Sequence, residues 1–363
     1  MAKVSVLIPV YNTEIYLREC LDSVINQTLE DIEIICINDG STDDSLSIMQ
    51  EYAQKDKRIK IIDKQNTGYG HSMNIGLDRA EGEYIGILEP DDFTDIHMFE
   101  DLYGIAKEKD CDIVKSDYYR YHSKTGEKRK AGNTTKFACG EVINLKENEK
   151  LLRLPPAIWS SIYKREFLKT NNIRFLGTPG ASYQDTSFNY KTMLAAERIC
   201  LTKRAYVCYR QDNPNSSIKS KDKVYAICDE YDEIERFLSS KPKLEKNFSE
   251  YMNAVRYRAY FETMMRIDEK YIEDFVEVFS AKFRELYERN ELGRHFYLRN
   301  KKMDVLCLLN DKQKFLEFYK KEKKRHDYKR WRRNLVSVNI DASRISIILF
   351  DRQIAGIELC KHP

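Results

Sequence analysis

Glu83-Tyr84-Ile85-Gly86-Ile87-Leu88-Glu89-Pro90-Asp91-Asp92 is the stretch from which the fold can be read. Its apolar run, Tyr84 to Leu88, is short and branched enough to be a buried strand. Pro90 has no N–H to give to a ladder, so the strand stops before it. Glu89, Asp91 and Asp92 are left at the carboxyl end, the edge of an open α/β sheet where ligands bind. Grouped acids there suit a hard cation. Mn²⁺ or Mg²⁺ would be held by one or two carboxylates and completed by substrate phosphates and water. A solvated acidic turn capping the next helix is the plainer alternative, and this stretch by itself leaves both open.

The same rhythm extends outward from it. Val4 to Ile8 is a strand ending at Pro9, and Glu14 to Asn26 an amphipathic helix with Thr13 as its cap. Ile32 to Ile37 is a strand, and Asp43 or Asp44 caps a helix reaching Lys55. Ile59 to Ile62 is a short strand, and Gly68 to Ala80 a helix. Strand alternating with helix predicts an α/β fold with a mostly parallel central sheet and right-handed crossovers. Met98 to Lys109 continues as a helix and Asp112 to Asp117 as a strand, followed by a polar hairpin excursion over Tyr118 to Val142. Trp159 to Thr170 and Ser187 to Glu197 read as helical, and Ile199 to Leu201 and Ala205 to Tyr209 as short strands. From about Lys223 the pattern is mainly helical, closing on a strand-like pair, Ile345 to Leu349 and Ile354 to Leu359. A soft boundary at Ser217 to Asp222 divides an α/β domain, 1–220, from a mainly helical C-terminal region, 221–363.

The 363 residues carry a net charge of only +3, too little to argue for a polyanionic partner. No run of about 18 apolar residues predicts a transmembrane helix, and the first strand follows Met1-Ala2-Lys3 with no signal-like segment. Nine scattered cysteines without a Cys-x-x-Cys pair fit reduced thiols rather than disulfides or zinc. The expected location is therefore the cytoplasm.

Three strand ends carry the chemistry. The first gives Pro9-Val10-Tyr11-Asn12, the second Asn38-Asp39-Gly40-Ser41-Thr42-Asp43, and the fourth Glu89-Pro90-Asp91-Asp92. Side by side they would form an edge that fits a nucleotide diphosphate. Asp39 can accept from base or ribose, Tyr11 can pack on the base, and the acids can hold a metal bridging the phosphates. Taken singly, Asn-Asp-Gly-Ser is an ordinary turn before a helix; it is the joint occurrence that favours the functional reading.

These segments, with Leu21 to Thr28, Gly68 to Gly76 and Gly82 to Ile85, resemble the glycosyltransferase family 2 domain of GT-A fold over Val4 to Ser116, and more weakly to about Tyr209. The resemblance implies an inverting transferase using a nucleotide-diphosphate sugar, a UDP-sugar first, in bacterial capsule, lipopolysaccharide or related surface-polysaccharide synthesis. It implies that Asp39 contacts the nucleotide, that Asp91 is the second acid of an Asp-x-Asp metal motif, and that Asp92 is the acid following it. Glu89 stands where the first acid is expected. Met73 stands where many relatives carry a base-contacting Arg; within Gly68 to Asn74, His71 is the candidate substitute. In Ser182-Tyr183-Gln184-Asp185-Thr186 the family's Glu-Asp pair has become Gln184-Asp185, so the resemblance makes Asp185 the catalytic base, against a plain helix cap. Gly177 to Gly180 would be a mobile loop over the acceptor. Arg210, with Asn213 to Ser217, would close over the diphosphate, against a solvated arginine. A non-catalytic sugar-nucleotide-binding or scaffold protein and a sugar-nucleotidyltransferase are the rival readings. The latter should carry a Gly-rich, Arg-containing loop where this chain has Pro9 to Asn12.

Lys320 to Arg333 holds nine Lys or Arg against Glu322 and Asp327, beside Trp331. This run suits the inner face of an anionic membrane where a lipid-linked or glycan acceptor waits. A nucleic-acid patch, a homo-oligomer contact and a plain solvated face are the alternatives. The expected partners are the nucleotide sugar, the acceptor and the membrane surface, not nucleic acid.

Overall fold

The computed structural model describes residues 2–180, 183–214, 223–292, 302–340, 344–349 and 352–358. The soft boundary at Ser217 to Asp222 lies outside them. By packing, the chain divides into two compact units, Met1–Ser249 and Glu250–Pro363.

In the first unit β1 (Val4–Val10), β2 (Ile32–Asp39), β3 (Ile59–Lys64) and β4 (Tyr84–Ile87) alternate with α1 (Glu14–Ile25), α2 (Ser45–Lys55) and α3 (Tyr69–Arg79). After β5 (Phe93–Thr94) come α4 (Met98–Glu108), β6 (Ile113–His122), β7 (Glu127–Ala131), β8 (Val142–Ile143) and β9 (Ser161–Lys164). α5 (Arg165–Thr170), α6 (Gln184–Ala195), β10 (Ile199–Arg210) and α7 (Ala226–Ser239) follow. The strands form one sheet in the order β3-β2-β1-β4-β9-β6-β10-β5, with β7 paired to β6 and β8 to β10. β3, β2, β1 and β4 are parallel, as are β6 and β10; short β9 enters antiparallel between β4 and β6. This is the GT-A-like α/β architecture with its large, mostly parallel sheet.

β1 and β2 are buried along their whole length, as parallel strands covered on both faces must be. The helices come close because glycines make room. A Cβ at Gly76 on α3 would meet Leu7 and Ile37 side chains at 3.2 Å, and one at Gly86 on β4 would meet the Phe99 ring of α4 at 2.6 Å. Register pairs Leu7 with Ile87 and Val6 with Gly86. Since strand side chains alternate faces, α3 and α4 cover opposite faces. The chain leaves β1 toward β2 and β3, then returns to β4 on the other side. The strand order therefore reverses between β1 and β4, where such sheets bind ligands.

Several local expectations change. β1 continues past Pro9, pairing Pro9 with Ile37 and Val10 with Asn38. Its β4 partner ends at Ile87, opposite Leu7, so the missing Pro9 N–H breaks no ladder there. Thr13 makes no side-chain cap; Asp43 accepts both the Glu14 N–H and the Ser45 N–H at 3.0 Å, serving α1 and α2 together. The stretch Trp159 to Thr170 is not one helix but a 3₁₀ turn, β9 and then α5. The two short strands expected around 199–209 are one irregular strand, β10.

The second unit is mainly helical. α8 (Pro242–Met264) leads into it, followed by α9 (Ile272–Glu288), α10 (Lys302–Asn310) and α11 (Lys312–Leu335). Its core is aromatic: Tyr260 and Phe279 ring centres are 5.3 Å apart, as are those of Tyr257 and Phe279. Beyond the helices β11 (Val336–Ile340), β12 (Arg344–Leu349) and β13 (Arg352–Glu358) make an antiparallel three-stranded sheet, one strand more than the hairpin expected. Of the basic run, Lys320, Lys321, Lys324 and Arg325 are exposed. Lys323 is partly buried, 3.5 Å from Glu269 and 5.7 Å from the Tyr319 ring centre. The side chains from 328 onward, Trp331 included, lie outside the described residues. Among the described residues no helix is long and apolar enough to cross a membrane, and no disulfide joins the described cysteines.

Candidate active site at the strand ends

The ends of β1, β2 and β4 meet on one edge of the sheet, as expected. Pro9 and Val10 are buried in β1 and Tyr11 is half exposed. Asn12, in the left-handed region at φ 51°, donates its N–H to Ser41 Oγ at 3.1 Å and accepts the Thr42 N–H at 2.8 Å. The two strand ends are thereby tied together. Asp39 is buried and accepts the Thr67 N–H at 2.9 Å, the Gly68 N–H at 3.0 Å and the Lys64 ammonium. It thus fixes the loop between β3 and α3, while its Oδ2, which accepts only the Gly68 N–H among the described residues, retains acceptor capacity.

That loop enters α3 against the segment Leu176 to Gly180. Gly68 has φ +96°, open to glycine and strained for others, and a Cβ there would meet Gly180 N at 2.7 Å. A Cβ at Gly70 would sit 1.9 Å from the Leu176 carbonyl oxygen. The Tyr69 N–H donates to Gly180 O at 2.9 Å, and buried Gln184 donates to Thr178 Oγ1 at 2.9 Å. The Gly177 to Gly180 segment expected to be mobile is therefore pinned to α3 and α6. His71 is exposed, with its ring against Gly177. Asn74 turns away from the edge: it donates to Phe175 O and accepts the Phe175 N–H, both at 2.9 Å.

The acid turn is closed by the Asp92 N–H donating to Glu89 O at 3.0 Å across Pro90. Glu89 accepts the Tyr69 hydroxyl at 2.7 Å. Although part of the residue reaches solvent, burial of its carboxyl group pushes it up to about 8. The Tyr69 bond opposes that shift, and the charges of Asp91 and Asp185 add to it. Asp91 accepts from Asn213 Nδ2 at 2.7 Å through Oδ2. Asp92 is 1% exposed; its Oδ1 accepts the Arg210 backbone N–H at 2.7 Å and its Oδ2 is buried with no partner. Burial holds Asp92 well above the usual carboxylate range, with Asp91 adding to the shift.

Arg210 is neither solvated nor aimed outward. Its side chain is 3% exposed. It donates to Asp91 O at 2.7 Å, to Ser123 Oγ and to Glu19. The guanidinium lies 4.7 Å from the Tyr16 ring centre and 5.2 Å from that of Tyr121. Arg210 holds the acid turn from below.

Asp185 is the second residue of α6. The N-cap is Tyr183, in the left-handed region at φ 61°, so Asp185 is not the cap. The Asp185 charge acts on Glu89, Tyr69 and Tyr209, and Tyr209 also feels Asp92, Asp91 and Glu89. Tyr69 links helix and acid turn, donating its hydroxyl to Glu89 and its N–H to Gly180 O, which Gln184 also holds. Tyr209 packs on Trp159 at 5.0 Å, and Trp159 on Tyr118 at 4.7 Å. This aromatic wall was not foreseen, nor were Tyr69 and Lys64. Tyr69 lies inside the Gly68 to Asn74 segment, but nothing local marks it as a partner of Glu89. Among the described residues no three His, Cys, Asp or Glu side chains gather closely enough to hold a metal by themselves.

Residues 5–183 match the family described as Glycosyl transferase family 2. The chain is 33% identical over 219 residues to the uncharacterized glycosyltransferase EpsJ of Bacillus subtilis, covering 59% of this chain and 62% of EpsJ. It is 38% identical over 177 residues to the minor teichoic acid biosynthesis protein GgaB of the same organism, covering 47% of this chain and 19% of GgaB. The chain thus spans about three fifths of the length of EpsJ and far less of GgaB. The crystal structure of S. aureus TarS 1–349 in complex with UDP-GlcNAc superposes with a TM-score of 0.65 at 19% identity, covering 96% of this chain and 97% of that one. At that identity the likeness concerns the fold.

Proposed function

Through residues 5–183 this chain belongs to glycosyltransferase family 2, and on that premise we propose that it is an inverting transferase. It moves a sugar from a nucleotide diphosphate, UDP first, to a hydroxyl of a glycan or lipid-linked acceptor in bacterial surface-polysaccharide synthesis. The observation that carries the reading is the chain of bonds that joins the acid turn to the start of α6 where the strand order reverses: Tyr69 donates its hydroxyl to Glu89 and its N–H to Gly180 O, to which Gln184, the neighbour of Asp185, also donates. UDP as the nucleotide is supported by the TarS fold, whose structure holds UDP-GlcNAc, and the pathway by the name of GgaB.

We assign Tyr11, Asp39 through its spare Oδ2 capacity, Gly68, His71 and Glu89 to the donor. Asn74 and Arg210 act through what they hold, respectively Phe175 and the acid turn. The turn fits a divalent cation, since Asp91 Oδ1 bears no hydrogen bond among the described residues and Asp92 Oδ2 is buried without one. Asp91 would hold Mn²⁺ or Mg²⁺ with Asp92 behind it, and the ion would offset charge on the departing diphosphate. Asp185 takes the proton of the acceptor hydroxyl, which attacks the anomeric carbon from the opposite face. The exposed Lys320, Lys321, Lys324 and Arg325 would draw the protein to anionic lipid on the inner face of the membrane.

The test is calorimetric binding of UDP with Mn²⁺ and with chelator, followed by UDP release from UDP-glucose, UDP-galactose and UDP-GlcNAc. UDP should bind more tightly with Mn²⁺, and Asp91→Ala should remove the difference. Equal affinity with and without metal would sink the metal assignment, and no release from any UDP-sugar would sink the UDP-sugar assignment.

A further inference from the structure

A carboxylate that this mechanism does not use lies behind Asp185. Glu230 stands on α7, which packs against α6, and is 1% exposed. Its Oε2 accepts the Ser187 backbone N–H at 3.0 Å, two residues along α6 from Asp185. Its Oε1 is buried with no hydrogen-bond partner. Leaving a buried carboxylate oxygen bare is unfavourable. Holding Ser187 does not require that cost, because a glutamine amide oxygen accepts the same N–H without bringing a charge. What Glu230 adds over glutamine is the charge.

The charged groups that α6 brings to bear on Glu230 are Asp185 and Lys191. Lys191 is already engaged, donating to Glu233 Oε1 and Arg174 O, both at 2.7 Å. Of the two, Asp185 carries the charge that opposes ionisation of Glu230. Burial first, and the Asp185 charge with it, push Glu230 up to about 7, against the pull of Ser187 and Lys191.

We propose that Glu230 is a positioning residue for the transfer, fixing the start of α6 through Ser187 and, as a negative charge behind Asp185, strengthening Asp185 as a base. This rests on the reading of Asp185 as the base. Like charges raise one another's proton affinity. A more basic carboxylate, still ionised at the working pH, removes a proton faster. The assistance is present when Glu230 is ionised and disappears as the pH falls through about 7.

The experiment follows UDP release by the full chain against pH, with whichever UDP-sugar of the panel above turns over. In the wild type the rate should step down by less than about tenfold as the pH falls through about 7. Glu230→Gln keeps the bond to Ser187 and loses the charge. It should be about three- to tenfold slower at pH 8, show no step, and bind UDP as the wild type does. Glu230→Asp, which keeps the charge, should retain the step. A wild-type profile without the step overturns the proposal even if Glu230→Gln fails to fold. A Glu230→Gln protein with the wild-type rate and step overturns it as well. The two readings separate cleanly. An Asp185→Asn protein with normal turnover removes the base itself, whereas an inactive Asp185→Asn beside an unchanged Glu230→Gln refutes the role of Glu230 alone.

Discussion

Replacing Arg210 with Met decides whether this arginine holds the acid turn or touches the diphosphate. Met keeps much of the apolar contact and removes the guanidinium. The bond to Asp91 O at 2.7 Å is lost from a buried site, at about 1.5–3 kcal/mol for a charged donor. The Ser123 bond goes with it. The Glu19 pairing counts for little, because Glu19 is 48% exposed and rehydrates when freed. Loss of the cation from between Tyr16 and Tyr121 adds about 0.5–1 kcal/mol. Asp92 keeps its bond, since that donor is the backbone N–H of residue 210. The sum is about 2–4 kcal/mol, or a Tm lower by roughly 5–12 °C for a unit of this size. With the Asp91 carbonyl released, UDP affinity in Mn²⁺ should fall at least about tenfold, following the anchor of the turn. Differential scanning fluorimetry and calorimetry on the same preparation read both. A variant with wild-type Tm and weakened UDP binding would refute the reasoning and place Arg210 on the diphosphate.

Asp185→Asn should leave UDP binding intact and lower turnover by about 10²–10⁴-fold; near-normal release of UDP would return Asp185 to a structural role. Lys115, 3% exposed, donates to Ala157 O at 2.7 Å, and burial pushes it down to about 7. Between pH 7 and about 10 the unfolded chain therefore binds a proton at this position that the folded chain does not. Stability should rise with pH across that window by up to about 1.4 kcal/mol per unit. Urea midpoints of Lys115→Met should lose this slope, and an unchanged slope would assign it to other groups. Vesicles with anionic lipid should sediment the protein at low salt and release it at about 0.5 M, where screening acts within about 4–5 Å. Gln at Lys320, Lys321, Lys324 and Arg325 should reduce that sedimentation, and equal sedimentation with neutral vesicles would leave these residues as a solvated face.

The alternation of β1 to β4 with α1 to α3 was legible because each element announces itself locally, through a period of 2 or 3.6 and a turn residue at its end. The acids at Glu89 to Asp92 were legible for the same reason, being strand-terminal by position. The parts that failed depend on partners far along the chain. Ser161-Ile162-Tyr163-Lys164 reads locally as part of a helix. It becomes β9 because Ile162 finds Gly86 on one side and Val114 on the other, a choice no window of a dozen residues contains. Arg210 carries no local sign of where it points; the buried Asp91 carbonyl in the acid turn, Glu19 and the Tyr16 ring on α1, and the Tyr121 ring on β6 draw it inward. Gly177 to Gly180 reads locally as a mobile loop, and Gly68 and Gly70 as the start of a helix. In the fold the glycines at 68, 70 and 177 are the contact that lets Leu176 to Gly180 lie against α3 and be fixed there. The sequence by itself determined which groups stand at the strand ends, since strand direction sets that. Tertiary structure decided which of them face the open edge and which are spent holding it, since only burial and long-range partners distinguish an acid that can still bind from one already bound.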